Sequence, residues 1–500
     1  MTESSPLPAA AAAAPGKPSP REIRATILGL MTAMLLAALD QSIVATALPS
    51  IGRDLGGFDL VPWVVTAYLL AATVAAPLYG RLADTMGRRV IMHTAIAIFM
   101  IGAIASALAP SMLFLACARA IQGLGGGGLV ILAQTIIADV VPPKERGHYQ
   151  VYIAGVFAAS NALGPVLGGL IAQHLHWSVI FWLNLPLGAA ALWMSDGVLR
   201  RAPRHHRPRK LDLIGAALMI GASTTLLLAL NWGGVRYGWT SPAIVGLAVA
   251  SGFLWTLFAA RLRTATDPLI PGALLRNPVV ACGLIVAGFS MGTHIGLAYF
   301  MPIYLQLVVG LEAGNSGLAM IPLLVGTVTG AIIGGRHMPH VRHYKRLPMA
   351  GYVVAILGRL ALAQRPIGLS LLQTELLFGV VALGVGFSFP IITVSIQNAV
   401  VLHHIGTATA AMHFFRQLTG AVVVAVFGAI VLSVGVTAGR GVSTVATAAD
   451  AAALAESFRW VFLAAAGGIA IALAALALMK ELPLRDKVHS AQDTADAAGD

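Results

Sequence analysis

The chain has 500 residues, 58% of them hydrophobic and only 10% charged, where an ordinary soluble domain carries roughly 25% charged residues. That excludes a soluble globular protein. The formal charge of +12 is dispersed between apolar runs rather than gathered into one aromatic-laced basic domain, which argues against a nucleic-acid partner. Cys117 and Cys282, the 2 cysteines, lie in separate apolar runs and give neither a disulfide framework nor a metal-ligand spacing.

Residues 1–24 read as a disordered Pro/Ala/Ser-rich tail, without the hydrophobic core of a cleaved signal peptide. From there, apolar runs of about 20 residues recur, each long enough to cross a hydrocarbon core of roughly 30 Å as a helix. They are rich in Leu, Ala, Val and Gly and lack strand-period alternation, so each must satisfy its own backbone hydrogen bonds as a helix. Breaker residues place spans at 25–49, 61–80, 90–109, 112–140, 149–172, 177–199, 212–231, 242–261, 279–308, 315–334, 347–364, 371–399, 405–436 and 458–479. The expected fold is an all-α integral membrane protein with fourteen transmembrane helices.

An even number of spans puts both termini on one side. With that threading, 24 of the 32 Lys and Arg residues fall on the side of the termini, and only Arg53, Arg236, Arg365, Arg440 and Arg459 fall opposite. Lys and Arg accumulate in cytoplasmic loops, so both termini are expected in the cytoplasm. The basic run "RRAPRHHRPRK" (200–210) follows span 6, and a second six-span block begins near residue 279. The expected organisation is a six-helix half (25–200), a segment with the basic loop, two extra helices and a linker (201–278), a second six-helix half (279–480) and a C-terminal tail (481–500). This 6+2+6 layout suits a transporter built from two parallel repeats. "GRLADTMGRR" (80–89) has a faint echo in "GRHMPHVRHYKR" (335–346), which lacks the aspartate.

In chain order, the first chemistry-bearing residue is Asp40, inside "LLAALDQSIVATALP" (35–49). A carboxylate at lipid depth costs about 2.5–3.5 kcal/mol on insertion scales, so it must face the bundle interior, where ionisable groups mark ion or substrate paths or else pair with a neighbouring helix. Gln41 follows it as a candidate cavity residue. In the loop after span 2, Gly80 and Gly87 suit tight turns, Asp84 can cap a helix start, and Arg88, beside Arg89, can pair with a carboxylate such as Asp139. Arg119 lies early in span 4 with Gln122, a candidate cavity residue, on a similar face; near a helix end Arg119 could also snorkel. The glycines of "GLGGGG" (123–128), and Gly326, Gly330 and Gly334, give small faces for close helix packing. Gly164, Pro165, Gly168 and Gly169 combine such a face with a proline that permits a bend. In the second half, His294 is a second titratable candidate or a hydrogen-bonded core residue. His413, Phe414, Arg416 and Gln417 of "HFFRQLTG" (413–420) form a candidate polar-aromatic cavity wall.

Four of these segments together resemble the major facilitator superfamily, specifically its fourteen-span drug:proton antiporters, over residues 25–480. "LDQSIVATALP" (39–49) is similar to the first-span signature, with Ser42 and Ala45 as departures from the commoner Thr and Asn. "GRLADTMGRR" resembles the loop between spans 2 and 3, "RAIQGLGGGG" (119–128) the span-4 arginine motif, and "GPVLGGLIAQHLHWSVIFWLNLPLG" (164–188) the span-5 antiporter motif and its continuation. The resemblance implies proton coupling through Asp40 and Arg119, a gate formed by the 80–89 loop with Asp139, and a span-5 segment that seals one side of the cavity.

The expected function is therefore export of lipophilic, often cationic, drugs or toxic small molecules in exchange for protons, conferring resistance. The proton gradient is the energy source, and no cofactor, metal or enzymatic step is implied. Partners are the bilayer, the small lipophilic substrate and protons; a periplasmic adaptor is the one protein partner left open, and the chain is otherwise expected to be a monomer. The expected location is a bacterial cytoplasmic (inner) membrane. Export of a lipid or endogenous metabolite on the same scaffold is the rival reading, and a membrane sensor or enzyme is a remote one. No Walker-type phosphate loop or nucleophile elbow appears.

Overall fold

The structure, a computed structural model, describes residues 20–57, 60–199, 212–234, 236–437 and 448–485. The tail at 1–19, the basic run at 200–210 and residues 486–500 lie outside the described residues. The N-terminal helices are α1 (Pro20–Leu55), α2 (Val61–Met86), α3 (Arg88–Ala107), α4 (Met112–Val140), α5 (Pro143–His174), α6 (Val179–Trp182) and α7 (Asn184–Leu199). Then come α8 (Leu213–Trp232), α9 (Pro242–Thr264) and the short α10 (Gly272–Arg276). The C-terminal helices are α11 (Pro278–Leu307), α12 (Ala313–Leu318), α13 (Ile321–His337), α14 (Arg346–Gln364), α15 (Leu371–Gly386), α16 (Ser388–Asn398), α17 (Ile405–Thr437) and α18 (Ala448–Leu478).

Among the described residues 13 helical segments are long and apolar enough to cross a membrane. The fourteenth apolar segment is shorter than the continuous span expected at 177–199: the chain breaks at Leu183 between α6 and α7, and its apolar stretch runs Val179–Ser195. The other expected spans recur, 315–334 with a break between Leu318 and Ile321 and 371–399 with one at Phe387, and some are longer than expected. α1 continues through Pro49 to Leu55, α5 starts at Pro143, and α18 starts at Ala448.

The two halves repeat one packing plan. In the first, α1 packs on α5 and α7, and α4 packs on α2 and α3; in the second, α11 packs on α17 and α18, and α15 packs on α13 and α14. Across the molecule α2 meets α17, and α5 meets α13. The extra pair α8–α9 packs as a hairpin whose α8 touches both α2 and α17, at the seam between the halves. Asp212 caps α8 through the Gly215 N–H (3.0 Å) and pairs with Arg261 of α9 (3.1 Å), fixing the hairpin at its basic end. Asp267 in the linker then pairs with Arg81 of α2 at 3.5 Å.

The contacts that join the halves cluster toward the basic end. A side chain at Gly80 would strike Gly406 and Ala410, and one at Gly147 would strike the Gly335 backbone, so glycine is required for these approaches. Ala76, Ile131 and Ala410 form a small apolar plug beside them. Toward the other end Gln41, Ala45 and Pro49 of α1, one helical turn apart, are exposed, as are Asn161, Ala162 and Pro165 of α5. The described contacts thus close the bundle at its basic end.

Candidate functional site

Asp40 sits halfway along α1, but it does not line the space between the halves. It is 0% exposed, enclosed within the first half. Arg119 Nη1 donates to its Oδ2 at 2.6 Å, while Gln122 Nε2 and Asn184 Nδ2 donate to Oδ1 at 2.9 and 2.8 Å. Arg119 Nη1 also donates to Gln122 Oε1 (2.7 Å), and Arg119 Nε to the Val64 carbonyl (3.2 Å). Its guanidinium lies 4.3 Å from the centre of the Tyr68 ring, in cation–π range.

The glycine run explains this arrangement. A Cβ at Gly123 or Gly127 would strike the α2 backbone at Tyr68 or Ala72, and one at Gly126 would strike the Tyr68 hydroxyl; Gly125 gives the same clearance against Ala95 and Phe99 of α3. Bare glycine faces let α2 and α3 close on α4, which brings the Val64 carbonyl and the Tyr68 ring onto Arg119. Arg119 is therefore an interior ion-pair partner and does not snorkel; its relative exposure is 1%. Gln122, a candidate for the cavity wall, belongs instead to this buried network at 0% exposure. Asn184, Tyr68 and Val64 were not among the expected site residues. Asn184 reaches Asp40 because the helix breaks one residue before it.

At the basic end the 80–89 loop brings its expected members together. Arg88 pairs with Asp84 at 2.5 Å and with Asp139 at 2.9 Å. Asp84 does cap a helix start, but that of α17 in the other half: its Oδ2 accepts from the Thr407 N–H (2.9 Å) and hydroxyl (2.7 Å). A carboxylate there also complements the positive end of the α17 dipole. Gly87 has φ +95°, which favours glycine, whereas Gly80 is helical and serves close approach rather than a turn. Arg89 is half-buried at the start of α3. Arg146, unassigned from sequence, is buried and donates to the Ala138 and Val141 carbonyls (2.5 and 2.8 Å), closing the C-terminus of α4.

The four residues of the span-5 motif divide. Gly164 and Gly168 lie against Ser42 and Thr46 of α1, where a Cβ would strike both hydroxyls. Ser42 Oγ donates to the Ser160 carbonyl at 2.8 Å, so Ser42 joins α1 to α5. Gly169 has open space and Pro165 is exposed, and α5 runs unbroken from Pro143 to His174 through that proline.

The second-half candidates also divide. His413 Nε2 lies 3.0 Å from Gln134 Oε1 of α4, a polar contact between the halves. Arg416 Nη2 donates to Thr393 Oγ1 (3.1 Å), and half-buried His294 has its ring 6.0 Å from that of Phe389. Gln417 is half-buried. Phe414 is not a wall residue in this conformation: it is 1% exposed and packs against Trp255 of α9 (6.1 Å between ring centres). Among the described residues no cluster of His, Cys, Asp and Glu could hold a metal.

Two helical halves with one packing plan, a closed basic end and a segment that bridges the halves constitute an architecture that comparison with known proteins identifies. The sequence profile of the Major Facilitator Superfamily matches residues 30–424. The chain belongs to this superfamily. This superfamily member is 33% identical to Multidrug resistance protein 3 of Bacillus subtilis (strain 168) over 404 residues, covering 81% of this chain and 78% of that protein. It is 32% identical to the Multidrug transporter protein MdtP of the same organism over 416 residues, covering 83% and 76%. Its fold matches the crystal structure of a bacterial homologue of the iron transporter ferroportin in an outward-facing state, with a TM-score of 0.62 and 12% identity, covering 91% of this chain and 98% of that one. The protein is a multi-pass membrane transporter and not an enzyme.

Proposed function

We propose that the protein is a fourteen-span proton-coupled exporter of lipophilic small molecules, working by alternating access with both termini in the cytoplasm of a bacterial cell. The observation that carries this reading is the sealed Asp40–Arg119 pair. Protonating Asp40 removes the only carboxylate paired with Arg119 among the described residues, and leaving one member of a buried pair uncompensated costs ~3–5 kcal/mol. Proton occupancy is thereby tied to how α1, α4 and α7 pack around Asn184, Gln122 and Arg119. A conformation that admits water to Asp40 takes up the proton; one that seals it as here restores the pair.

In this reading the basic end is cytoplasmic and the conformation faces outward. Asp84, Arg88, Asp139 and Thr407 form the latch that holds it. Cargo enters from the cytoplasm or inner leaflet after the latch opens, and α6–α7 completes the fourteenth crossing. Relatives with multidrug transport in their names support a lipophilic cargo. A cationic cargo pairing with Asp40 would have to displace Arg119 from that carboxylate, so the charge preference is not set there.

The test is transport into inside-out proteoliposomes carrying an imposed pH gradient. Accumulation of a lipophilic dye that collapses on adding an uncoupler supports proton coupling. Accumulation indifferent to the gradient, or gradient-independent transfer of a phospholipid in its place, contradicts it and favours the lipid-exporter reading.

A further inference from the structure

Arg359 of α14 is 1% exposed, yet its Nε and Nη1 atoms have no hydrogen-bond partner, and it makes no ion pair among the described residues. Arg416 of α17 is in a related position: Nη2 holds Thr393 Oγ1, and the buried Nε is unpartnered. The two are neighbours of one group. Tyr352 interacts electrostatically with both, His294 with Arg359, and His413 with Arg416, while Ser290 and Ser388 lie beside the Tyr352 hydroxyl. Between residues 278 and 480 the acidic residues are Glu312, Glu375, Asp450 and Glu456. Glu312 precedes α12, Glu375 lies in the second turn of α15 and Glu456 in the third turn of α18, all toward the end away from the basic loops, and none of these three pairs with either arginine among the described residues. A guanidinium has five N–H donors and stays charged, so two with buried, unpartnered donors and no carboxylate partner among the described residues call for an anion from elsewhere.

We infer that the second half binds an anionic group of the cargo, a carboxylate or comparable oxyanion, on Arg416 with Arg359 behind it. Arg416 is partly exposed and one turn along α17 from His413, which reaches α4 across the seam between the halves. An anion entering between the halves therefore meets Arg416 first. The Ser290 hydroxyl, which has no hydrogen-bond partner, can supply a further donor, whereas those of Thr393 and Ser388 are already given to the Phe389 and Val385 carbonyls. An apolar body attached to that anion would lie against Phe389 and Phe415, the half-buried aromatics on the same two helices. The inference rests on the exporter reading only in calling the anion cargo.

Binding rather than transport tests it, so that failure of proton coupling and failure of the anion site remain distinct results. Full-length protein in nanodiscs of phosphatidylcholine is titrated at neutral pH with 1-pyrenebutyrate and with its neutral isostere 1-pyrenebutanamide, read by fluorescence. The wild type is expected to prefer the carboxylate by about ten-fold or more, a difference of about 1.4 kcal/mol. Arg416→Gln should bring the two probes level; Arg359→Gln should reduce the preference, and Arg359→Lys, which keeps the charge, should restore part of it. Variants are compared only where they elute as monodisperse particles, and Arg416→Met, likewise uncharged, stands in if Arg416→Gln does not. Displacement of 1-pyrenebutyrate by phosphatidylglycerol in mixed nanodiscs would assign the anion to a lipid headgroup and still support an anion site. A wild type that fails to bind the carboxylate more tightly than the amide, or a preference untouched by Arg416→Gln, overturns the inference.

Discussion

The two halves share a packing plan and differ in how they handle charge. In the first, the two cations assigned to the coupling and gating sites have carboxylates: Arg119 has Asp40, and Arg88 has both Asp84 and Asp139. In the second, Arg359 and Arg416 have none among the described residues. The same divergence marks the two seams at the basic end. On one, Asp84 reaches across to Thr407; on the other, the echo of that loop has no aspartate, and Gly147 and Gly335 simply lie backbone against backbone. The α2–α17 seam thus adds a carboxylate latch to its glycine contact at Gly80, whereas the α5–α13 seam is held by steric fit. Ionic contacts resist through a few strong directional bonds, whereas a glycine contact admits no added atom at all.

Breaking the steric seam should have the largest effect. Gly335→Val places a branched side chain on the Gly147 carbonyl, which cannot give way without moving α5. Transport is expected to fall more than about ten-fold, and spin labels on the basic ends of α5 and α13 should report a longer separation; unchanged spacing would mean that the seam is not tight.

Breaking the ionic seam should be milder. Asp84→Asn keeps an oxygen for Thr407 but loses the charge that pairs with Arg88, worth about 1.5–3 kcal/mol for a charge-assisted hydrogen bond. The conformational balance should shift from the form closed at the basic end by about ten- to a hundred-fold, read as labelling of a cysteine placed on the α17 side of the seam. Labelling equal to wild type would remove the latch from the scheme.

The smallest effects separate the glycines of the span-5 motif. Gly169→Ala enters open space and gains helix propensity, so melting temperature and transport should stay at or slightly above wild type. Gly164→Ala meets Ser42 Oγ and Cβ and should lower both. Equal behaviour of the two variants would show that α1 and α5 are not in the close contact seen here.

The sequence made the spans and their order legible because lipid imposes length and apolarity on every crossing helix. Asp40, Arg119 and the pairing of Arg88 with Asp139 were legible because a charge at that depth needs a reason. Asn184 was not: it lies 144 positions from Asp40, on a helix whose break at Leu183 carries no glycine or proline at the break itself. Thr407 and the Val64 carbonyl were hidden for the same reason, since nothing local in a threonine or a peptide group announces a partner on a distant helix. Gln122 and Phe414 were placed on the cavity wall by residue type, but which face a helix turns inward depends on its neighbours. α4 turns Gln122 into the first half, and α9 covers Phe414 through Trp255. The arginines Arg359 and Arg416 were visible as charges within spans; their lack of a carboxylate became visible only with the packing around them.

Proton coupling through Asp40 is tested most directly by substrate-stimulated proton release from the purified, weakly buffered protein, compared with Asp40→Asn. The amide can still accept from Asn184 or Gln122 but cannot carry the exchangeable proton. Release on adding substrate to the wild type, with none from the variant while substrate still binds, is the expected result. Equal release from both would contradict the role given to this carboxyl group.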